Sequence, residues 1–195
     1  MKGNRLIYGM ILTLIILIFL SENSTKLKSG DIAFVGFNAN NDSFEIITFI
    51  NIPPKTSIHF TDSEWNGNRF GADENDLVWE TGEEIISKGS IIKFTSLGSN
   101  PIVSSGTLKN TLRISKKEEA IFAYVGSTKM PTKFLAAMAN DKLGYGTLLN
   151  TGLDNKSVLT FPKGTTYATY KGHHNYQNVN EYIVALNKIS NYTFQ

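Results

Sequence analysis

Asp62, Glu64, Asn66 and Asn68 alternate around Trp65, and Asp73, Glu74 and Asp76 follow in the same stretch. Oxygen side chains at that density can supply several of the roughly six to eight ligands that a calcium ion takes, which makes Asp62, Glu64, Asn66, Asp73 and Asp76 calcium candidates. The stretch lacks the fixed glycine and closing glutamate of an EF-hand loop, and Asp and Asn also close turns by bonding their own backbone. Structural turns are therefore the more common use of such a run. Asn38, Asn40 and Asp42 form a second, weaker oxygen set with the same two readings. Glu64 with Asp76 or Glu80 is the one carboxylate pairing that suggests acid and base chemistry. Trp65 and Trp79 are candidate platforms for a carbohydrate or other ligand, against the bland alternative that they fasten the loop to a core. His59 sits between Ile58 and Phe60, where a satisfied or exposed histidine is expected. His173 and His174 are neighbours, and in an extended segment they face opposite ways and cannot readily share a zinc ion. There is no cysteine, no G-x-S-x-G elbow and no phosphate loop or dinucleotide fingerprint, so nucleophilic and nucleotide chemistry have no motif here.

The elements that must hold these residues are short and extended. Asp31 to Phe37 is apolar on both faces, as in a strand buried within a sandwich, and Asn38 to Asp42 is a turn. Phe44, Ile46, Thr48 and Ile50 alternate with Glu45, Ile47 and Phe49 in a second strand. Pro53 and Pro54 end it, because neither can donate to a ladder, and Ile58, Phe60 and Asp62 begin a third. Ser63 to Asp76 is then a long polar loop. Leu77 to Glu80, Ser90 to Thr95, Leu108 to Ile114, Ala120 to Tyr124 and Phe134 to Ala139 are the next candidate strands, the last preferred over a helical turn on length. Val158 to Phe161 and Thr166 to Tyr170 are expected to pair through the turn at Pro162, Lys163 and Gly164. Turn signals spaced at about 8 to 12 residues argue for an all-β sandwich rather than alternating βα units. Asn178 followed by Glu181 has capping-box spacing, and Tyr182, Ala185, Leu186 and Ile189 predict one amphipathic C-terminal helix that closes the sandwich.

The chain begins with a different kind of segment. Lys2 and Arg5 precede a fifteen-residue apolar run, Leu6 to Leu20, which is the pattern of a secretory signal. No good pair of small residues marks a cleavage site, so retention as an N-terminal membrane anchor is the alternative to removal. The expected division is residues 1–22 as signal peptide or anchor, 23–29 as linker and 30–195 as the β-sandwich domain. Setting Lys2 and Arg5 aside leaves 17 basic residues against 17 acidic ones, and no basic cluster exceeds the Lys116–Lys117 pair. A neutral body of this kind is a poor partner for nucleic acid.

The block GDIAFVGFNANNDSFEIITFINIPPKTSIHFTDSEWNG from Gly30 to Gly67, followed in order by LVWE, GSIIKFT, EEAIFAYVG, PTKFLAAMAN, GTLLNTGL and EYIVALNKISNY, resembles a family of bacterial exported modules. These modules are distantly similar to the immunoglobulin-like lamin-tail domain. The resemblance implies a β-sandwich at or outside the cell surface, with no enzymatic activity generally assigned and no catalytic site to carry over. The expectation is thus a non-enzymatic module, secreted or anchored through residues 6–20, with a structural, adhesive or ligand-binding role toward an envelope or extracellular protein or glycan. The alternatives are a small envelope or polysaccharide hydrolase using carboxylates of the 63–80 loop, and a calcium-dependent adhesion module.

Overall fold

The computed structural model of the protein describes residues 26–72, 74–176 and 178–195. The leader, and with it the expectation of a signal or anchor, lies outside the described residues, as do Asp73 and Gln177. Among the described residues no helix is long and apolar enough to cross a membrane.

The apolar run at the start forms β1 (Ile32–Asn38), antiparallel to β2 (Ser43–Thr48). An extra residue at Val35 shifts the register between Phe34 and Gly36, so that Phe34 and Phe37, three apart, pair with Ile46 and Phe44 and point to the same side. Ala33 and Val35, between Ile32, Phe34 and Phe37, are buried as well, so β1 is covered on both faces. The chain then crosses to a second sheet at β3 (Ser57–Thr61), which pairs with β4 (Asp76–Glu80). It returns for β5 (Ile91–Thr95) and β6 (Ile102–Val103), and crosses again for β7 (Thr107–Lys109), β8 (Ala120–Ser127) and β9 (Met130–Ala139). β10 (Val158–Thr160) runs parallel to β9, and β11 (Tyr167–Tyr170) and β12 (Tyr192–Phe194) complete the first sheet. The two six-stranded sheets have the orders β12-β11-β1-β2-β5-β6 and β10-β9-β8-β3-β4-β7. The all-β class and the sandwich layering read from the turn spacing are what the structure has.

The core between the sheets is aromatic. Phe44 stacks on Phe94 at 4.6 Å, Phe60 of the opposite sheet meets Phe44 at 4.9 Å and Phe94 at 5.1 Å, and Trp79 stands edge-on to Phe94 at 5.4 Å. Such tilted and edge contacts add to the burial of large rings. The helix α1 (Val179–Leu186) is capped by the Asn178 side chain, which accepts from the Asn180 N–H, and it buries Tyr182, Ile183 and Leu186. Tyr182 packs edge-on against Phe49 at 5.7 Å.

Two expected strands come out differently. Leu108 to Ile114 is extended only over β7, because Asn110 takes a left-handed φ of 66° and turns the chain, while Leu112 and Ile114 stay buried in the following loop. The segments at Val158 and Thr166 do not pair with each other. The Phe161 N–H binds Ala139 of β9 and the Thr166 N–H binds Gln195, so the Pro162–Gly164 turn carries the chain from one sheet to the other. Leu27, placed in the linker by sequence, is buried in the core.

Candidate functional site

The stretch richest in chemistry lies over the outer face of the second sheet. That face carries a second apolar cluster of Phe122, Tyr124, Phe134, Ala137 and Tyr145, and the loop between β3 and β4 covers it with Trp65 and Phe70. Trp65 meets Phe70 and Phe134 edge-on, each at 5.0 Å, and its indole N–H donates to the Leu149 carbonyl at 2.8 Å. Its backbone is clamped by the 145–147 segment, where the Trp65 N–H donates to the Tyr145 carbonyl and the Thr147 N–H donates to the Trp65 carbonyl. Gly146 is required there: its φ is 65° and a Cβ would fall 2.5 Å from the Trp65 oxygen.

The oxygen side chains of the loop divide. The Asn66 side-chain oxygen Oδ1 accepts from the backbone N–H groups of Asn68 and Arg69, an Asx turn, and Glu64, Asn66, Asn68 and Glu74 are exposed. Asp73 lies outside the described residues. Asp76 turns inward: its carboxylate accepts from His59 Nδ1 at 2.6 Å and from the Tyr124 hydroxyl, and that hydroxyl accepts the Lys129 N–H at 2.8 Å. His59 stacks on Tyr124 with 5.1 Å between ring centres. Burial, and next the Asp76 carboxylate, push the Tyr124 phenol well above its ordinary pKa. Asp76 is thus bound within a closed network, and the histidine between Ile58 and Phe60 is a satisfied, buried one.

Asp62 is the exception. One of its carboxylate oxygens is buried without a hydrogen-bond partner. Burial first, then the Glu74 carboxylate, raise its pKa to about 7, against smaller opposing effects of its own and the Asn75 backbone N–H groups and of Lys129. Glu119 is raised to about 8, mainly by burial, with Asp62 and Glu74 adding repulsion and the Ser115 N–H opposing. Glu119 is locked by its neighbours, since Asn140 accepts its N–H through the side-chain oxygen, donates back to its carbonyl, and binds the Ser115 carbonyl. Nothing in the spacing of the sequence pointed to Glu119, which closes the charged run Lys116 to Glu119 just before β8 and reads there as a solvated residue. Among the described residues no three His, Asp or Glu side chains are placed to hold a metal ion.

The remaining sequence candidates lie apart from this loop. Trp79 is fully buried between the sheets, its N–H donating to the Ser105 carbonyl at 2.8 Å. Glu80 pairs with Lys109 at 2.7 Å on the surface. Asn38 accepts the Asn40 N–H, and Asp42 accepts the Ile114 N–H at 2.7 Å, so this second oxygen set ties the loops at one end of the sandwich. His174 is bonded to the Tyr182 hydroxyl and held below its ordinary pKa by burial, while His173 stacks on Tyr176 at 4.1 Å. No protein-family model matches the chain, and no curated protein and no solved structure is significantly similar to it.

Proposed function

We propose that the chain works as a non-enzymatic β-sandwich module, exported or tethered through its apolar leader, which presents its loops to a protein or glycan of the cell surface. The observation that carries this reading is the inward commitment of the chemically capable residues: Asp76 to His59 and Tyr124, Trp65 to Leu149, Trp79 to Ser105. These groups hold a loop on a sheet, which is the work of a scaffold. The test is co-sedimentation of the purified full chain with isolated cell envelope, comparing the natural protein with Glu64→Gln. Equal binding and no release of soluble sugar or peptide fits the module; release that Glu64→Gln abolishes refutes it.

A second reading draws on Asp62 and Glu119, whose pKa values near 7 and 8 suit a proton donor at neutral pH. It is a hydrolase that uses these two carboxyls. Release of soluble sugar from envelope polysaccharide that Glu119→Gln abolishes and Glu64→Gln spares would favour it over the module.

A further inference from the structure

At the end of the sandwich where the described chain begins, an open groove of about 620 Å³ is lined by Lys26, Leu27, Pro53, Lys55, Val125 and Lys133, among others. Its floor is apolar and its rim is cationic. Lys55 is held by Glu83 at 3.0 Å, both side chains largely exposed, whereas Lys26 and Lys133 make no ion pair among the described residues. Lys28 and Lys88 are exposed at the same end, with Glu83 and Glu84 as the facing acids. Two large apolar side chains stand out beside the groove: Met130, 66% exposed at the tip of the β8–β9 hairpin, and Ile85, 58% exposed in the loop that holds Glu83. Lysines around an apolar floor with projecting aliphatic residues suit a surface that is anionic outside and hydrocarbon beneath.

Chain connectivity says which surface that is. Only five residues, Ser21 to Thr25, separate the apolar run ending at Leu20 from Lys26. Fully extended, that link spans about 20 Å, so a leader seated in a bilayer keeps this end of the domain near the headgroups. We propose that the groove is the domain's membrane footing, with Lys26, Lys55 and Lys133 engaging the phosphates of anionic phospholipids. The inference rests on the reading that the leader is retained in a membrane. A basic residue near an anionic surface strengthens association about fivefold, so the three give a preferred orientation that salt weakens.

The test uses the full chain reconstituted into vesicles of phosphatidylglycerol mixed with phosphatidylcholine, or of phosphatidylcholine alone. Acylation by a membrane-impermeant amine reagent is read at each lysine by mass spectrometry. Lys26 and Lys133 should react about threefold or more slowly in the anionic vesicles than in the neutral ones, and about 0.5 M salt should remove the difference. Lys116 and Lys142, exposed at the far end, should react alike in both. An inserted chain with equal rates in both vesicles overturns the footing and leaves the tether reading intact. A chain extracted by alkaline carbonate removes the tether reading, and the footing with it. Protection by soluble glycerol phosphate without a bilayer would assign the groove to a free phosphate and overturn the membrane assignment.

Discussion

The raised carboxyls at Asp62 and Glu119 turn the loop over the second sheet into a pH-dependent part of the fold. Both groups bind protons more tightly in the folded chain than in the unfolded one, where ordinary values of about 4 apply. Between those two limits the folded state holds protons that the unfolded state has lost, so stability falls as pH rises. The contribution is complete below about pH 4 and is lost by about pH 8. Shifts to about 7 and 8 correspond to about 6 kcal/mol between pH 5 and 8; halved for solvent relaxation around partly exposed Asp62 and for their coupling, on the order of 3 kcal/mol is expected. Asp31, raised by burial, acts in the same direction, and His174, held low by burial, acts weakly in the opposite one. The assay is urea unfolding at pH 5, 6.5 and 8, followed by the fluorescence of the two buried tryptophans. Asp62→Asn with Glu119→Gln, which fixes the neutral form at both sites, should flatten the profile to within about 1 kcal/mol. A natural protein whose stability is level or rises from pH 5 to 8, or a double variant that keeps the slope, refutes the assignment.

Three further outcomes follow from the same face. Trp65→Ala removes the ring that fastens the loop and should cost about 3 to 5 kcal/mol in urea unfolding, while Trp65→Phe, which keeps a ring and loses the bond to Leu149, should cost far less. Asp76→Ala leaves the His59 ring and the Tyr124 hydroxyl without their buried acceptor and should cost about 2 to 4 kcal/mol; combined with Tyr124→Phe the losses should not add. Gly146→Ala should cost about 2 kcal/mol more than Gly152→Ala, because both positions have positive φ but only Gly146 faces a backbone oxygen, and thermal midpoints of the two variants check it.

The layering of the fold was legible because short runs such as Phe44 to Thr48 and Ile91 to Thr95 carry their pattern locally, with turns at Asn38–Asp42 and Pro53–Pro54 between them. What could not be read was partner choice among strands. Val158–Phe161 has the same look whether it meets Thr166–Tyr170 in a hairpin or β9 in parallel, since the decision lies in long-range backbone bonds. The short edge strands β6 and β12 were missed because two or three residues hold too little pattern. The second apolar cluster did leave a trace: Phe122 and Tyr124 alternate with Ile121 and Ala123, so β8 is apolar on both sides and needs a cover on each. Trp65 in the nearest long loop was that cover. The Asp62–Glu119 pair left no trace, because the two lie on different elements and their proximity is a product of the closed loop.

On the proposed membrane footing the two ends of the sandwich would serve different purposes, and the distinction bears on where a partner would bind. The N-terminal end has the lysine groove and is bound by covalent reach to the leader. Strands of five to ten residues, rising about 3.3 Å each, put the opposite end some 20 to 30 Å away. Asp42 sits at the centre of that far end, accepting the Ile114 N–H through its side chain and the Leu97 N–H through its carbonyl. The β1–β2 turn, the turn after β5 and the loop leading into β8 are thereby joined into one surface. If the groove rests on a bilayer, this joined surface faces away from it and is the one that a cell-surface partner can reach. Substitutions at exposed Asn40, Asn41 or Lys116 should then reduce envelope binding in the sedimentation assay, while charge removal at Lys26 and Lys133 changes only the domain's orientation. A partner whose binding is lost with the groove lysines and indifferent to the far loops would reverse that polarity.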